Sequence, residues 1–100
     1  MQGEVTLTST PIRNPHIVLR EEFDDWGLLF DPEQGIAYGI NPVGIFIWKH
    51  LDGNNTPEDI QKLVAEEFDQ VSDSSLEDVR EFIQTVVDKG YAGFELKHVR

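Results

Sequence analysis

One hundred residues with a 39% hydrophobic fraction suit one small domain and do not support two cores. Nineteen acidic residues against eight basic ones leave a formal charge of −11, which argues against a partner that is mainly phosphate. With no cysteine there is no disulfide scaffold, no thiol nucleophile and no thiolate zinc site, and no apolar run approaches the roughly 20 residues that span a bilayer.

Met1-Gln2-Gly3-Glu4 has neither the basic start nor the apolar core of a secretory signal. Together with the missing thiols this predicts a soluble, cytoplasmic domain. Residues 1–12 mix Thr, Ser, Gly and Pro11 around the alternation Val5-Thr6-Leu7-Thr8, and read as a flexible N-terminus. The domain proper is expected over 13–96, with 97–100 a short tail.

Three apolar runs follow: Ile17-Val18-Leu19, Trp26-Gly27-Leu28-Leu29-Phe30 and Ile36-Ala37-Tyr38-Gly39-Ile40. Asp24-Asp25 separates the first two, and Asp31-Pro32-Glu33-Gln34-Gly35 the last two. Short apolar runs between Asp, Pro and Gly clusters predict a three-stranded antiparallel meander. Pro32 fixes φ and Gly35 permits φ > 0, so the second turn is the better defined.

The period then changes from two to 3.6. Asn41 and Pro42 start a first helix through Leu51 that is apolar almost all round, as befits a helix buried between other elements. Thr56, Pro57, Glu58 and Asp59 start a second, with Ile60, Leu63, Val64 and Phe68 at helical spacing and Lys62, Glu66 and Glu67 toward water. Asp69 to Ser74 reads as a polar loop. Ser75 or Ser74 caps a third helix through Lys89, which Gly90 ends. Tyr91 to Leu96 forms a short coda, a candidate last strand. The class is α+β, in the order βββααα.

Two features bear on function. On a wheel at about 100° per residue, Leu76, Ile83 and Val87 fall on one side of the third helix, with Val79, Phe82 and Val86 on the adjoining side. A stripe of roughly 140° is either one well-buried face or a core side next to a groove side, and Phe82 is the residue that decides. The third strand, Gly35 to Ile40, carries no charge and no proline, the usual guards of a sheet edge. Ile36, Tyr38 and Ile40 would face the core, while Ala37 and Gly39 leave the backbone open to approach. Either the coda covers this strand, or it is a template on which a peptide adds a strand.

The order and spacing of several motifs carry a resemblance. They are Trp26-Gly27-Leu28-Leu29-Phe30 through Gly35 to Ile40-Asn41-Pro42, then Ile45-Phe46-Ile47-Trp48, Leu51-Asp52-Gly53, Thr56-Pro57-Glu58-Asp59-Ile60, and Asp78-Val79-Arg80-Glu81-Phe82 into Lys89-Gly90-Tyr91. Over Asn14 to Leu96 the chain resembles the PqqD-like family, the PQQ-synthesis protein D proteins also called RiPP recognition elements or peptide chaperones. The resemblance implies a winged-helix-like domain that is not an enzyme and holds no cofactor. It implies binding of the leader segment of a ribosomally made precursor peptide, presented to a modifying enzyme, typically a radical SAM protein. The leader would lie as an added strand along Ile36, Ala37, Tyr38, Gly39 and Ile40, against Val79, Phe82, Ile83 and Val86. The Asn41-Pro42-Val43-Gly44 start departs from the commoner alanine-rich turn and implies a specialised subfamily, such as that of the SynChlorMet-type cassettes.

Other functions fit less well. His16, His50 and His98 are far apart, and His50 beside Asp52 is half a metal site at most, or a histidine ending a helix. Asp24-Asp25, Glu66-Glu67 and Glu77-Asp78 look like a solvated exterior, and no phosphate-binding glycine loop is present. A winged-helix DNA reader would need a basic recognition helix, whereas Glu77, Asp78, Glu81 and Asp88 outweigh Arg80 and Lys89 here. A general protein–protein adaptor is the main rival. An unguarded edge also leaves a homodimer open as an alternative.

Overall fold

The three apolar runs pair as an antiparallel meander in a computed structural model that describes residues 10–22, 25–68 and 75–95. Its strands are β2 (Val18–Glu21), β3 (Gly27–Asp31) and β4 (Ile36–Ile40), in the spatial order β2-β3-β4. Leu29 lies opposite both Leu19 and Tyr38, and Gly27 opposite Ile40, so these residues share the inward face. The turn into β4 works through Asp31, whose Oδ1 accepts from the Glu33 and Gln34 amides at 3.0 and 3.4 Å. Gly35 closes it at φ 69°, donating to the Asp31 carbonyl at 2.8 Å.

Three helices follow: α1 (Pro42–Lys49), α2 (Pro57–Glu67) and α3 (Leu76–Asp88). Each starts where its cap falls in the sequence. Asn41 Oδ1 accepts from the Gly44 amide at 2.8 Å, Thr56 and Asp59 form a reciprocal capping box, and Ser75 caps α3. Gly90 takes φ 79° just past α3. α1 buries Val43, Ile45, Ile47 and Trp48 and forms the middle of the core, with Ile60 and Val64 of α2 and Val79, Ile83 and Val86 of α3 packed around it.

The chain ends bring a correction. Residues 10–12, read as part of a loose N-terminus, belong to a strand, β1 (Thr10–Arg13), which pairs antiparallel with β5 (Ala92–Glu95). Thr10 and Pro11 are buried. Arg13 explains why so short a strand is held: its Nη1 donates to the carbonyls of Trp48, Lys49 and Leu51 at 3.4, 3.2 and 3.2 Å, at the C-terminal end of α1 and the turn after it. Its amide also donates to the Leu51 carbonyl at 2.9 Å, and the Gly53 amide donates to the Pro11 carbonyl at 3.0 Å. Residues 1–9, the Phe23–Asp24 part of the first turn, the loop over 69–74 and the tail over 96–100 lie outside the described residues.

The coda is therefore a strand, but it covers β1 rather than β4. Among the described residues no strand pairs with the outer side of β4. Nor is any helix there long and apolar enough to cross a membrane.

Candidate functional site

The free side of β4 opens beside α3, and local chemistry sets that spacing. Asn41 turns the chain directly from β4 into α1, so the first turn of α1 sits against the end of the strand. Gly44 makes the close fit possible. A Cβ at this position would stand 3.1 Å from Phe82 Cε1 and 3.2 Å from Ile40 Cβ, so the glycine admits the Phe82 ring beside the strand end. At the middle of β4, Lys89 Nζ lies 4.4 Å above the centre of the Tyr38 ring, a cation–π contact that fixes the tyrosine against α3.

Two hollows flank Phe82. The larger, about 450 Å³, has Tyr38 and Asn41 on the strand side, Val43, Gly44 and Ile47 of α1 at its base, and Asp78, Glu81, Phe82 and Thr85 on the α3 side. The smaller, about 190 Å³, lies between Trp26, Tyr38, Gly39, Ile40, Asn41 and Phe82. Main-chain groups on one flank and an apolar trough on the other suit an extended peptide.

The expected site residues divide. Ala37 and Gly39 are exposed along the open edge, while Tyr38 and Phe82 are half-buried and line both hollows. Ile40 is buried yet borders the smaller hollow. Ile36, expected to face the core, is 51% exposed: it lies opposite Asp31 at the end of the sheet farthest from α1. Val79, Ile83 and Val86 do not line the groove. They are 0, 1 and 0% exposed and belong to the core, so a peptide has no surface of theirs to touch. The buried stripe of α3 is 79-83-86, and the groove face beside it is 78-82-85, again at spacings of four and three.

The groove also holds residues outside the expected set. Asp78, which with Glu77 reads as solvated exterior, and Glu81, which counts in the sequence only against DNA binding, both line the larger hollow. Trp26 reads in the sequence as a strand residue. It is 51% exposed and walls the smaller hollow, while Trp48 is buried at 2%. Two local features place it: the Glu22 amide donates to the Trp26 carbonyl at 2.6 Å, and Asp25 adopts φ 65°, a left-handed conformation that Asp tolerates. An exposed tryptophan next to an open strand edge is the signal, and it needs the fold to be seen.

His50 and Asp52 are already engaged. His50 Nδ1 lies 2.8 Å from the Phe46 carbonyl at the end of α1, and Asp52 Oδ1 accepts from the Asn54 amide and Asn55 Nδ2 at 3.0 and 3.3 Å. Among the described residues no three His, Asp or Glu side chains are grouped to hold a metal ion. Away from the groove, backbone hydrogen bonding at the start of α2, helped by Arg80, holds the Glu58 carboxyl below its ordinary range. That Glu58–Arg80 ion pair ties α2 to the outer face of α3.

Residues 27–92 match the model of the family described as Coenzyme PQQ synthesis protein D. No curated protein matches the sequence. Three solved structures share the fold. TbiB1 in complex with the TbiA(beta) leader peptide is 22% identical, with 89% of this chain and 98% of that one covered at a TM-score of 0.63. Lasso peptide synthetase B1 complexed with the leader peptide is 18% identical over 83% of this chain and 96% of that one, at 0.66. The heterocyclase TruD is 22% identical; 92% of this chain corresponds to 12% of TruD, at 0.58.

Proposed function

The chain belongs to the PQQ synthesis protein D family, and on that premise we propose that it is a non-catalytic peptide chaperone. It takes up the leader segment of a ribosomally synthesised precursor as an added strand on β4 and presents the rest of the peptide to a modifying enzyme, a radical SAM protein by likeness to the family. The observation that carries this reading is the bare outer edge of β4, uncharged and free of proline, lying beside the half-buried Phe82. Two proteins of this fold, TbiB1 and lasso peptide synthetase B1, were solved with leader peptides, which supports it further.

The division of labour makes physical sense. An enzyme that gripped the residues it modifies would release each product slowly. Gripping a distant leader raises the effective concentration of the modified segment and leaves its sequence free to vary. Ordering a disordered leader costs about 2–5 kcal/mol. Strand hydrogen bonds and one or two apolar anchors leave net binding near the micromolar range, roughly −8 kcal/mol. The acids beside the groove, Asp78 and Glu81, disfavour the rival reading of α3 as a DNA-recognition helix.

The test is amide chemical-shift mapping with the leader of a short precursor encoded beside the gene for this chain. Shifts concentrated at 36–40, with the Trp26 indole following, are the expected result. Shifts elsewhere, or none, refute strand addition on β4.

A further inference from the structure

The larger hollow is not neutral. Its base is apolar, from Val43, Gly44, Ile47 and the Phe82 ring, but its α3 rim carries the carboxylates of Asp78 and Glu81. Among the described residues neither carboxylate is paired with a basic side chain, whereas Glu21 and Glu58, elsewhere on the surface, are paired with Lys49 and Arg80. Asp78 accepts a hydrogen bond from Ser75 Oγ at 2.8 Å, which leaves its charge in place. Lys89 stands over Tyr38 at the opposite end of α3 and lines neither hollow. The rim of the larger hollow that Asp78 and Glu81 form is thus acidic.

Spacing turns this charge into a sequence preference. Asp78 precedes Phe82 by four residues on one helix face, about 6 Å along the axis at 1.5 Å per residue. Side chains two apart in a strand point the same way and stand about 6.6 Å apart. A strand laid on β4 that sets an apolar side chain against Phe82 therefore brings its next residue on that face, on the Asn41 side, level with Asp78, while Glu81 stands between the two positions along the axis.

We propose that the groove selects peptides in which an aliphatic or aromatic residue is separated by one position from a lysine or arginine, the basic residue lying toward Asn41. This rests on the leader-binding reading above and states which leaders the chain accepts. The carboxylates contribute mostly to selectivity and association rate, and the apolar base to affinity.

A displayed library of random peptides long enough to span β4, selected on the wild-type chain and on Glu81→Lys, tests it. Sequences enriched on the wild type should carry Lys or Arg two positions from an apolar residue, and Glu81→Lys, which sets one positive charge beside the remaining Asp78, should lose that preference for a base. A wild-type-selected peptide should bind Glu81→Lys about fivefold more weakly in low salt, and Glu81→Gln should bind it with an intermediate loss. Apolar sequences with no charge preference, or one preference shared by both proteins, overturn the proposal while the leader-binding reading stands, provided those peptides shift the β4 amides. No enrichment, or peptides that shift amides away from β4, overturns that reading and this proposal with it.

Discussion

The two outer strands of the meander face solvent in opposite ways. β2 carries Arg20 and Glu21 in four residues, with Arg20 Nε 3.7 Å from Glu22 and Lys49 Nζ 2.9 Å from Glu21. β4 carries Ile, Ala, Tyr, Gly and Ile and no charge. Charged side chains on an edge make it unattractive for another strand, because pairing would strip water from them. One edge of this sheet is therefore guarded and the other left as a template, within a single three-stranded sheet. The difference points to a selected use of β4, since the guarding device is present one strand away.

The sharpest way to break the comparison is through α3, which backs the open edge with two faces. Ile83→Ala, on the core face, should cost about 3 kcal/mol of stability, visible as a lowered denaturant midpoint, and leave the affinity of the folded fraction for leader unchanged. Phe82→Ala, on the groove face, should do the reverse: roughly tenfold weaker leader binding with a smaller loss of stability. Unchanged affinity in a folded Phe82→Ala protein would return Phe82 to the core and leave β4 without its anchor.

A second test leaves the protein intact. Leader peptides N-methylated at alternate residues lose the donors that would pair with β4 in one phase and keep them in the other. One phase should bind roughly tenfold more weakly, at about 1 kcal/mol for each lost hydrogen bond, read from the fluorescence of the exposed Trp26. Equal affinity for the two phases would mean that side chains alone hold the peptide. Giving β4 the guard of β2, as Ala37→Lys, should weaken binding by a few-fold. The same change should reduce any self-association found at high concentration by sedimentation, because an edge-paired dimer would compete for this strand.

Much of this arrangement was legible in the residues, and the exceptions have a common cause. Caps and turns are local, so Asn41, Thr56, Gly35 and Gly90 marked the ends of their elements correctly. The bare chemistry of β4 is also local. What neighbours it is not: Thr10–Arg13 reads as a weak segment with a proline in it, and becomes a strand only because Ala92–Glu95, some eighty residues later, returns to pair with it. The wheel of α3 gave the right stripe and the wrong edge to it. Periodicity shows that 79, 82, 83 and 86 are apolar; only packing against α1 decides that Phe82 looks out past Gly44 while its neighbours look in. Asp78 and Glu81 carried no sign of a groove, since an acid on a helix is ordinarily solvated.

The smallest effect concerns what holds α3 in place behind β4. Glu58 at the start of α2 and Arg80 on the outer face of α3 form an ion pair, and the Glu58 carboxyl is held below its ordinary range by backbone hydrogen bonding and by that arginine. A carboxyl with a lower pKa in the folded state than in the unfolded one keeps fewer protons when folded. Its contribution is therefore complete above the unfolded value and disappears as the pH falls through the folded one. Both side chains are more than half exposed, so screening keeps the effect slight. Wild type should melt slightly above Glu58→Gln at neutral pH, and the two curves should converge in acid, below the ordinary glutamate range. Because Arg80 lies away from the groove, leader affinity should be equal in the two proteins wherever both are folded. A loss of affinity in Glu58→Gln would show instead that this tie sets the distance between α3 and β4, making the width of the open edge depend on a contact on the far side of the helix.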